Sequence, residues 1–213
     1  MKPSTPRWLV PALIGLLLIA PVPASDAADD DVAGAVVRLQ GSAVAMQDAL
    51  PRPLKVGDKV LRGDVISTGR GARLEMKMLD DAVMTLGERS AFVVIDYVTT
   101  GAQPNAAVRI LEGAFSAASG EIMKVAGARF TVETETATIG IRGTTFWGGA
   151  IDGAFGVALL DGKSIVVENK AGRVVIDKVG DGTAIRAADQ APTKPNAWPA
   201  EKVSRAKATV AFR

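Results

Sequence analysis

Residues 72–78 read Ala-Arg-Leu-Glu-Met-Lys-Met, and this stretch decides the fold class. Small or apolar side chains at Ala72, Leu74, Met76 and Met78 alternate with charged side chains. Successive side chains of a β-strand point to opposite faces of a sheet, so a period of two predicts a strand with one buried face. An amphipathic helix would instead repeat its apolar residues every three or four positions.

Similar β-type patterns occur further along the chain, separated by turn signals. Phe130 and Val132 alternate with polar residues, and Gly162, Gly172 and Gly182 stand at equal intervals with Val- and Ile-rich stretches between them. Short strands bounded by regularly spaced turn residues are typical of all-β domains. The sequence therefore predicts an all-β fold of stacked short strands, of β-solenoid or sandwich-like type.

The C-terminal part of the chain has a different character. Residues 188–199 contain three prolines and predict a Pro-rich linker. Residues 200–213 predict a short C-terminal helix, with Trp198 and Phe212 as anchors at its two ends. One face of this helix would carry Val203, Ala206, Lys207 and Val210. The helix could pack back on the sheet or serve as a partner-binding helix.

The N-terminus has the features of a secretory signal. Residues 1–24 combine the cations Lys2 and Arg7 with the apolar run Trp8–Ala20, and small residues follow that run. The run is shorter than the roughly 20 residues that a transmembrane helix needs. We therefore expect a cleaved signal peptide over 1–24, an acidic leader over 25–31, and a periplasmic or secreted product. An uncleaved anchor, which would attach the protein to a membrane, is the alternative.

The charge balance changes when the signal peptide is removed. The full chain of 213 residues carries 25 basic and 23 acidic residues, and residues 1–24 hold two of the basic ones and none of the acidic ones. The mature chain is then formally neutral, so we expect no nucleic-acid partner. Apolar residue types make up 48% of the chain, which suffices for one hydrophobic core.

The sequence contains no cysteine and no histidine. Disulfides, thiolate nucleophiles and Ser-His-Asp triads are therefore excluded, together with the commonest zinc ligands. We expect no metal, no cofactor and no catalytic residues. Carboxylate chemistry remains the alternative: Glu133 and Glu135 would share one face of a strand, roughly 7 Å apart. Asp80 and Asp81 are expected at a hairpin turn, pointing apart into water.

Residues 137–147, Ala-Thr-Ile-Gly-Ile-Arg-Gly-Thr-Thr-Phe-Trp, form the densest candidate site. Glycine inside a strand pattern indicates a bulge or a close backbone approach. Because Arg142 has apolar neighbours, we interpret it as a buried partner of Glu133 or Glu135 in a structural ion pair. The alternative is that Arg142 binds an anion. Phe146-Trp147 could stack on a sugar ring, although burial is the commoner fate of such residues.

Residues 136–146 resemble the "gvRGT-x-F" segment of the FecR domain family of bacterial envelope proteins. Residues 54–60 and 63–69 are similar to that family's "L-x-x-G-d-x-l … g-d-x-i-x-T-g" stretch, and residues 111–113 to its "l-x-x-G" strand end. The resemblance runs from Val32 to Glu168, and we place the FecR-like β-domain at 32–187. Its motif residues look like a fold signature, not an active site. They are Gly140, Arg142, Gly143, Thr144 and Phe146.

The resemblance implies an all-β domain working in the periplasm. Signalling members of the family sit in the inner membrane and relay the occupancy of an outer-membrane TonB-dependent receptor to a cytoplasmic sigma factor. Since residues 1–7 alone precede the apolar run, we expect that no part of this chain reaches a sigma factor.

We predict a non-catalytic, exported FecR-like binding or signalling-accessory module. Its expected partner is an envelope protein or a glycan. The alternatives are a self-associating envelope structural protein and a glycan-acting hydrolase.

Overall fold

The computed structural model describes residues 31–101 and 103–213, and their sixteen strands form one hydrogen-bonded sheet. The predicted all-β class with one short C-terminal helix is confirmed. The predicted signal peptide, and the predicted leader up to residue 30, lie outside the described residues. The strands are β1 (Val32–Gln40), β2 (Ala43–Gln47), β3 (Leu50–Pro53), β4 (Lys59–Leu61), β5 (Val65–Thr68), β6 (Arg73–Met78), β7 (Val83–Leu86), β8 (Ala91–Val98), β9 (Asn105–Glu112), β10 (Phe115–Ala118), β11 (Arg129–Glu133), β12 (Thr138–Ile151), β13 (Ala154–Asn169), β14 (Gly172–Ile176), β15 (Asp181–Ile185) and β16 (Asn196–Ala197). A single 3₁₀ turn spans Glu121–Lys124, and helix α1 spans Ala200–Ala208.

Strand β6 follows the predicted alternation, with Leu74, Met76 and Met78 buried and Lys77 exposed. Arg73 departs from the pattern and is only 5% exposed. Its guanidinium folds back, and Nη1 donates a hydrogen bond to the carbonyl oxygen of Ala72 at 2.6 Å. Arg73 is therefore buried at a strand position that the alternation would place outward.

The long hairpin β12–β13 joins two layers of the sheet. The start of β12 pairs with β11, whereas its second half pairs with β10. Likewise β13 pairs with β15 near its start and with β14 near its end. The first layer runs β3-β2-β5-β8-β9-β11 and continues through the hairpin to β14; the second runs β4-β1-β6-β7-β10 and continues to β15 and β16. Parallel pairing is confined to β9 and β11 among the described strands.

One hydrophobic cluster combines buried side chains from both layers. The first layer contributes Phe92 and Phe130, and the second contributes Met84 and Phe115. Val, Ile, Leu, Met and Ala make up most of this cluster, as the low aromatic content of the chain requires. The core therefore depends on close packing of aliphatic side chains between the layers.

The two ends of the main strand path, β3 and β4, are tied by side chains. The guanidinium of Arg52 donates to the carbonyl oxygen of Lys59 at 3.1 Å and to the carboxylate of Asp64 at 2.8 Å. Asp64 is fully buried and also accepts the backbone N–H of Leu61. No backbone hydrogen-bond ladder joins β3 to β4. These contacts hold the ends together without closing the sheet into a barrel.

The C-terminal segment packs on the second layer of the sheet. This agrees with the alternative in which the predicted helix packs back on the sheet. Residues 188–199, predicted as a linker, include β16, which pairs with β15. Trp198 and Ala206 of this segment join Trp147 and Ala158 in a second apolar cluster, against which Val203 and Val210 also pack. Among the described residues, no helix is both long and apolar enough to cross a membrane.

Candidate functional site

The motif strand β12 changes layers at Gly143 and Thr144. Gly143 has a φ of +62° and Gly162, which opposes Thr144, has a φ of +96°. A Cβ on Gly162 would lie 2.3 Å from the carbonyl oxygen of Gly143, so the close approach requires glycine. The register of the hairpin then shifts between Thr145 and Phe146. The two glycines and this irregularity explain why the sequence has glycine inside strand patterns.

Thr144 fastens this crossing point from inside. It is 4% exposed, and its hydroxyl oxygen lies 2.9 Å from the carbonyl oxygens of both Arg142 and Ser164. Its backbone N–H donates to the hydroxyl of Ser119 at 2.9 Å. A buried hydroxyl whose hydrogen-bonding partners all lie within the protein stabilises the fold and is not available to bind a ligand. Thr144 therefore acts as a structural residue.

Phe146 and Trp147 are both fully buried. The rings of Phe146 and Phe115 pack edge to face, with centroids 5.5 Å apart. The indole N–H of Trp147 donates to the hydroxyl of Thr209 at 2.9 Å. Because neither ring is accessible, the alternative in which they stack on a sugar is wrong.

Arg142 is exposed, so the interpretation of a buried ion pair is wrong. In this part of β12 the side chains of Ile139 and Ile141 are buried, and Arg142, the next residue, faces outward. Its expected partner Glu133 accepts a hydrogen bond from Nε of Arg109 at 2.8 Å. The apolar sequence neighbours of Arg142 belong to the opposite face of the strand, which misled the interpretation.

Asp80 and the two glutamates also differ from expectation. Asp80 is only 6% exposed and does not face water. Its carboxylate accepts hydrogen bonds from the Tyr97 hydroxyl and from the backbone N–H groups of Ala82 and Ile122. Strand β11 ends at Glu133, so Glu135 lies beyond the strand. Glu133 and Glu135 therefore do not share one strand face, contrary to the prediction from the sequence.

Asp80 thereby fixes the 3₁₀ turn against the β6–β7 turn. The backbone N–H of Glu121 donates a hydrogen bond to the backbone carbonyl oxygen of Asp80 at 2.6 Å. Burial, together with the neighbouring Asp80 carboxylate, raises the pKa of Tyr97 far above its usual value. Sequence reasoning missed this cluster, because its members come from three segments that the fold alone brings together.

A groove of about 460 Å³ lies on the outer face of the first layer, beside the motif. We call it the Gly140 groove, and its lining includes Met123, Arg129, Thr131, Gly140, Arg142 and Val166. A Cβ on Gly140 would meet nothing closer than the Cβ of Val166, at 4.0 Å, so the space above Gly140 is open. The groove therefore exists because this strand position has no side chain.

Arg142 also borders a second cavity of about 480 Å³, where it and two lysines face the three carboxylates of Asp81, Glu121 and Asp161. In the described ranges 31–101 and 103–213, no group of three or more acidic side chains is arranged to hold a metal ion. The Gly140 groove is thus the place where the motif presents free charge.

Comparison with protein families gives a match over residues 64–164, to the family described as FecR protein. Residues 64–164 are thus similar to the FecR protein family. The match contains the complete β12 motif and ends at Ser164, within β13. Strands β1 to β4 and β14 to β16 lie outside the matched segment, yet they belong to the same sheet as the matched strands.

Two solved structures share the fold. Both are crystal structures, at 1.65 Å and 2.50 Å, of a candidate anti-sigma factor from Parabacteroides distasonis ATCC 8503. Each gives a TM-score of 0.53 at 18% identity and covers 66% of this chain. This chain spans 62% of the length of each. No curated protein matches the sequence.

Proposed function

We propose that this chain is a non-catalytic signalling-accessory protein, whose FecR domain binds a protein partner in the bacterial envelope. One observation carries the proposal. Within the motif, Gly143, Thr144 and Phe146 belong to the layer crossing and the core, whereas Arg142 presents its charged side chain beside an open groove. The arrangement fits recognition of another molecule and provides no reacting group. Membership of the matched segment in the FecR family supports the signalling context.

Two of the carboxylates considered for acid and base chemistry, Glu133 and Asp80, have structural partners. Glu133 is bonded to Arg109, and Asp80 holds Tyr97 and two backbone amides. A general acid and base pair needs two carboxyl groups facing a common substrate. Here each of these carboxylates already has a structural partner. The signal-like N-terminus supports a periplasmic or secreted location within the same proposal.

Self-association through sheet edges is the second candidate, and the β3 edge disfavours it. Pro51 and Pro53 occupy alternate positions of β3. Proline has no backbone N–H, so this edge is short of donors for a new strand. A partner that recognises side chains fits the structure better than a second copy that adds a strand at this edge.

In-cell cross-linking of the full chain, tagged at its C-terminus, tests the proposal. Pull-down and mass spectrometry should identify a discrete envelope protein in the cross-linked product. The same sample should give a mature N-terminus after residue 24. Products that contain this chain alone would support the structural role instead, and glycan-linked material without a protein partner would contradict protein binding.

A further inference from the structure

The outer face of the first layer brings two arginines together. Thr131 of β11 pairs with Gly140 of β12 in antiparallel register. Arg129 lies two residues before Thr131 and Arg142 two residues after Gly140, and both line the Gly140 groove. Like charges that share a groove repel one another. A bound anion would remove that repulsion.

These two guanidinium groups are unpaired within the described residues. Most other arginines have a partner: Arg109 bonds to Glu133, Arg205 to Asp152 and Arg52 to Asp64. In contrast, Arg129 and Arg142 have neither a side-chain hydrogen bond nor an ion pair in the parts of the chain that the structure describes. They are therefore available to a ligand.

The whole groove has an excess of positive charge. Three arginines and one glutamate line it, and Arg173 lies 3.8 Å from that glutamate, Glu168. The excess is therefore carried by Arg129 and Arg142. Guanidinium groups bind carboxylates through paired, charge-assisted hydrogen bonds. The charge favours an acidic ligand over a neutral or basic one.

The floor of the groove distinguishes a peptide from a glycan. Gly140 leaves space above the sheet, while Val166 and Met123 add half-buried apolar surface. Phe130 is the one aromatic residue among those lining the groove in the described structure, and its side chain is 2% exposed. A sugar would therefore find no ring to stack on, whereas an aliphatic side chain would find a fitting surface.

We infer that the Gly140 groove binds an acidic segment of the protein partner. The carboxylate of an aspartate or glutamate lies between the guanidinium groups of Arg129 and Arg142, and a neighbouring aliphatic side chain lies over Gly140 and Val166. The inference rests on the proposed function, since it names the surface and the chemistry by which the partner is recognised.

An NMR titration of the full-length chain tests the inference. The probe is a short peptide that carries two glutamates flanked by valines, and its control is the same peptide with glutamine in place of glutamate. The glutamate peptide should shift the amide resonances of Thr131, Gly140 and Val166. The glutamine peptide should bind at least about tenfold more weakly, because the charged hydrogen bonds are lost.

Four variants locate the binding. Arg129→Ala and Arg142→Ala should each weaken the glutamate peptide about tenfold or more. Gly140→Val should also weaken it, because the new side chain fills the groove while the charges remain. Arg186→Ala removes an exposed arginine elsewhere and should leave binding unchanged. The melting temperatures of all four variants show that each is folded before binding is compared.

Several outcomes would overturn the inference. They are equal binding of both peptides, an equal loss with Arg186→Ala, or unaltered binding with Gly140→Val. A sulfated oligosaccharide that displaces the glutamate peptide and binds at least tenfold more tightly would assign the groove to glycans instead.

The proposed function fails separately from this inference. In-cell cross-linking that captures the same envelope protein with wild type and with Arg142→Ala would preserve the proposed function while rejecting the groove. Cross-linking that captures no protein at all would reject the function itself.

Discussion

Asp80 and Asp81 are adjacent in sequence and opposite in environment. Asp80 is buried and accepts three hydrogen bonds, whereas Asp81 is exposed and lies 2.7 Å from the ammonium group of Lys77. Nothing in the sequence distinguishes two aspartates at a turn. The difference arises because the 3₁₀ turn and β8 both reach Asp80 from distant parts of the chain.

Replacing each aspartate with asparagine tests this difference. In Asp80→Asn, one acceptor oxygen becomes an NH₂ group that must face a donor, so the variant should lose about 1–3 kcal/mol of unfolding free energy. Asp81→Asn keeps a residue that tolerates its φ of +65° and should change stability by less than about 0.5 kcal/mol. Urea denaturation measures both. A loss below about 0.5 kcal/mol for Asp80→Asn would show that the buried network does not stabilise the fold.

Tyr97 predicts how stability depends on alkaline pH. Its pKa is raised in the folded state, so the phenol ionises in the unfolded chain first, near pH 10. Its contribution to stability is therefore complete below pH 10 and declines as the pH rises above that value. Wild type should lose stability above pH 10 more steeply than Tyr97→Phe, in which the lysines titrate as before.

The ultraviolet absorbance of tyrosinate gives a direct check, because Tyr97 is the only tyrosine of the chain. The signal should appear together with unfolding and not before it. Tyrosinate that forms near pH 10 in the folded protein would contradict the raised pKa.

Trp198, which precedes helix α1, packs in a trough, by which we mean the space above Gly156 and Gly182 where these residues have no side chain. An added Cβ on Gly182 would lie 2.4 Å from Cε2 of Trp198, and one on Gly156 would lie 2.9 Å from its Cη2. The turn between β12 and β13 adds Asp152, which bonds to Arg205 at 2.9 Å and to Lys202 at 3.0 Å. These cationic partners lower the pKa of the Asp152 carboxyl.

Gly182→Ala should detach Trp198 from this trough and cost about 1–3 kcal/mol through overpacking. In a Trp198→Ala background the same substitution should cost much less, because the clashing ring is gone. A double-mutant cycle by thermal unfolding measures the coupling. Gly140→Ala is the control, since its new methyl group enters open space. A coupling near zero would show that the indole does not rest on Gly182.

An element can be predicted from the sequence when its own residues determine it, and not when it depends on contacts with distant parts of the chain. Strand β6 follows from the alternation in its own sequence, and α1 begins at Ala200 as its periodicity and the preceding proline predict. The layer crossing of β12 was beyond prediction, because it requires Gly143 to meet Gly162 on another strand. The Gly140 groove was missed for the same reason: Arg129 and Arg142 line one groove only because β11 and β12 pair in the sheet.

At the scale of the whole molecule, the sixteen-stranded sheet leaves strand edges that must resist pairing. The β3 edge is guarded by two prolines, and Arg52 links β3 to the carbonyl of Lys59 on β4. Edge prolines are a recognised means of preventing strand addition between copies.

The double variant Pro51→Thr/Pro53→Thr should restore donors to this edge and favour association. Light scattering after size-exclusion chromatography should show a mass that rises with concentration in the variant but not in wild type. The single exchange Pro192→Thr, in the C-terminal segment, controls for the loss of proline. Identical masses for the double variant and wild type would show that the prolines do not protect the edge.

The β12–β13 hairpin, which pairs with strands of both layers, also determines when the sheet can be completed during folding. Neither layer acquires its central neighbour until the residues of β12 and β13 are available, and pairings such as β1 with β6 or β7 with β10 span long stretches of chain. Chains dominated by such distant pairings fold slowly, over milliseconds to seconds. The two layers of this sheet can therefore be joined only after the residues of β12 and β13 have been synthesised.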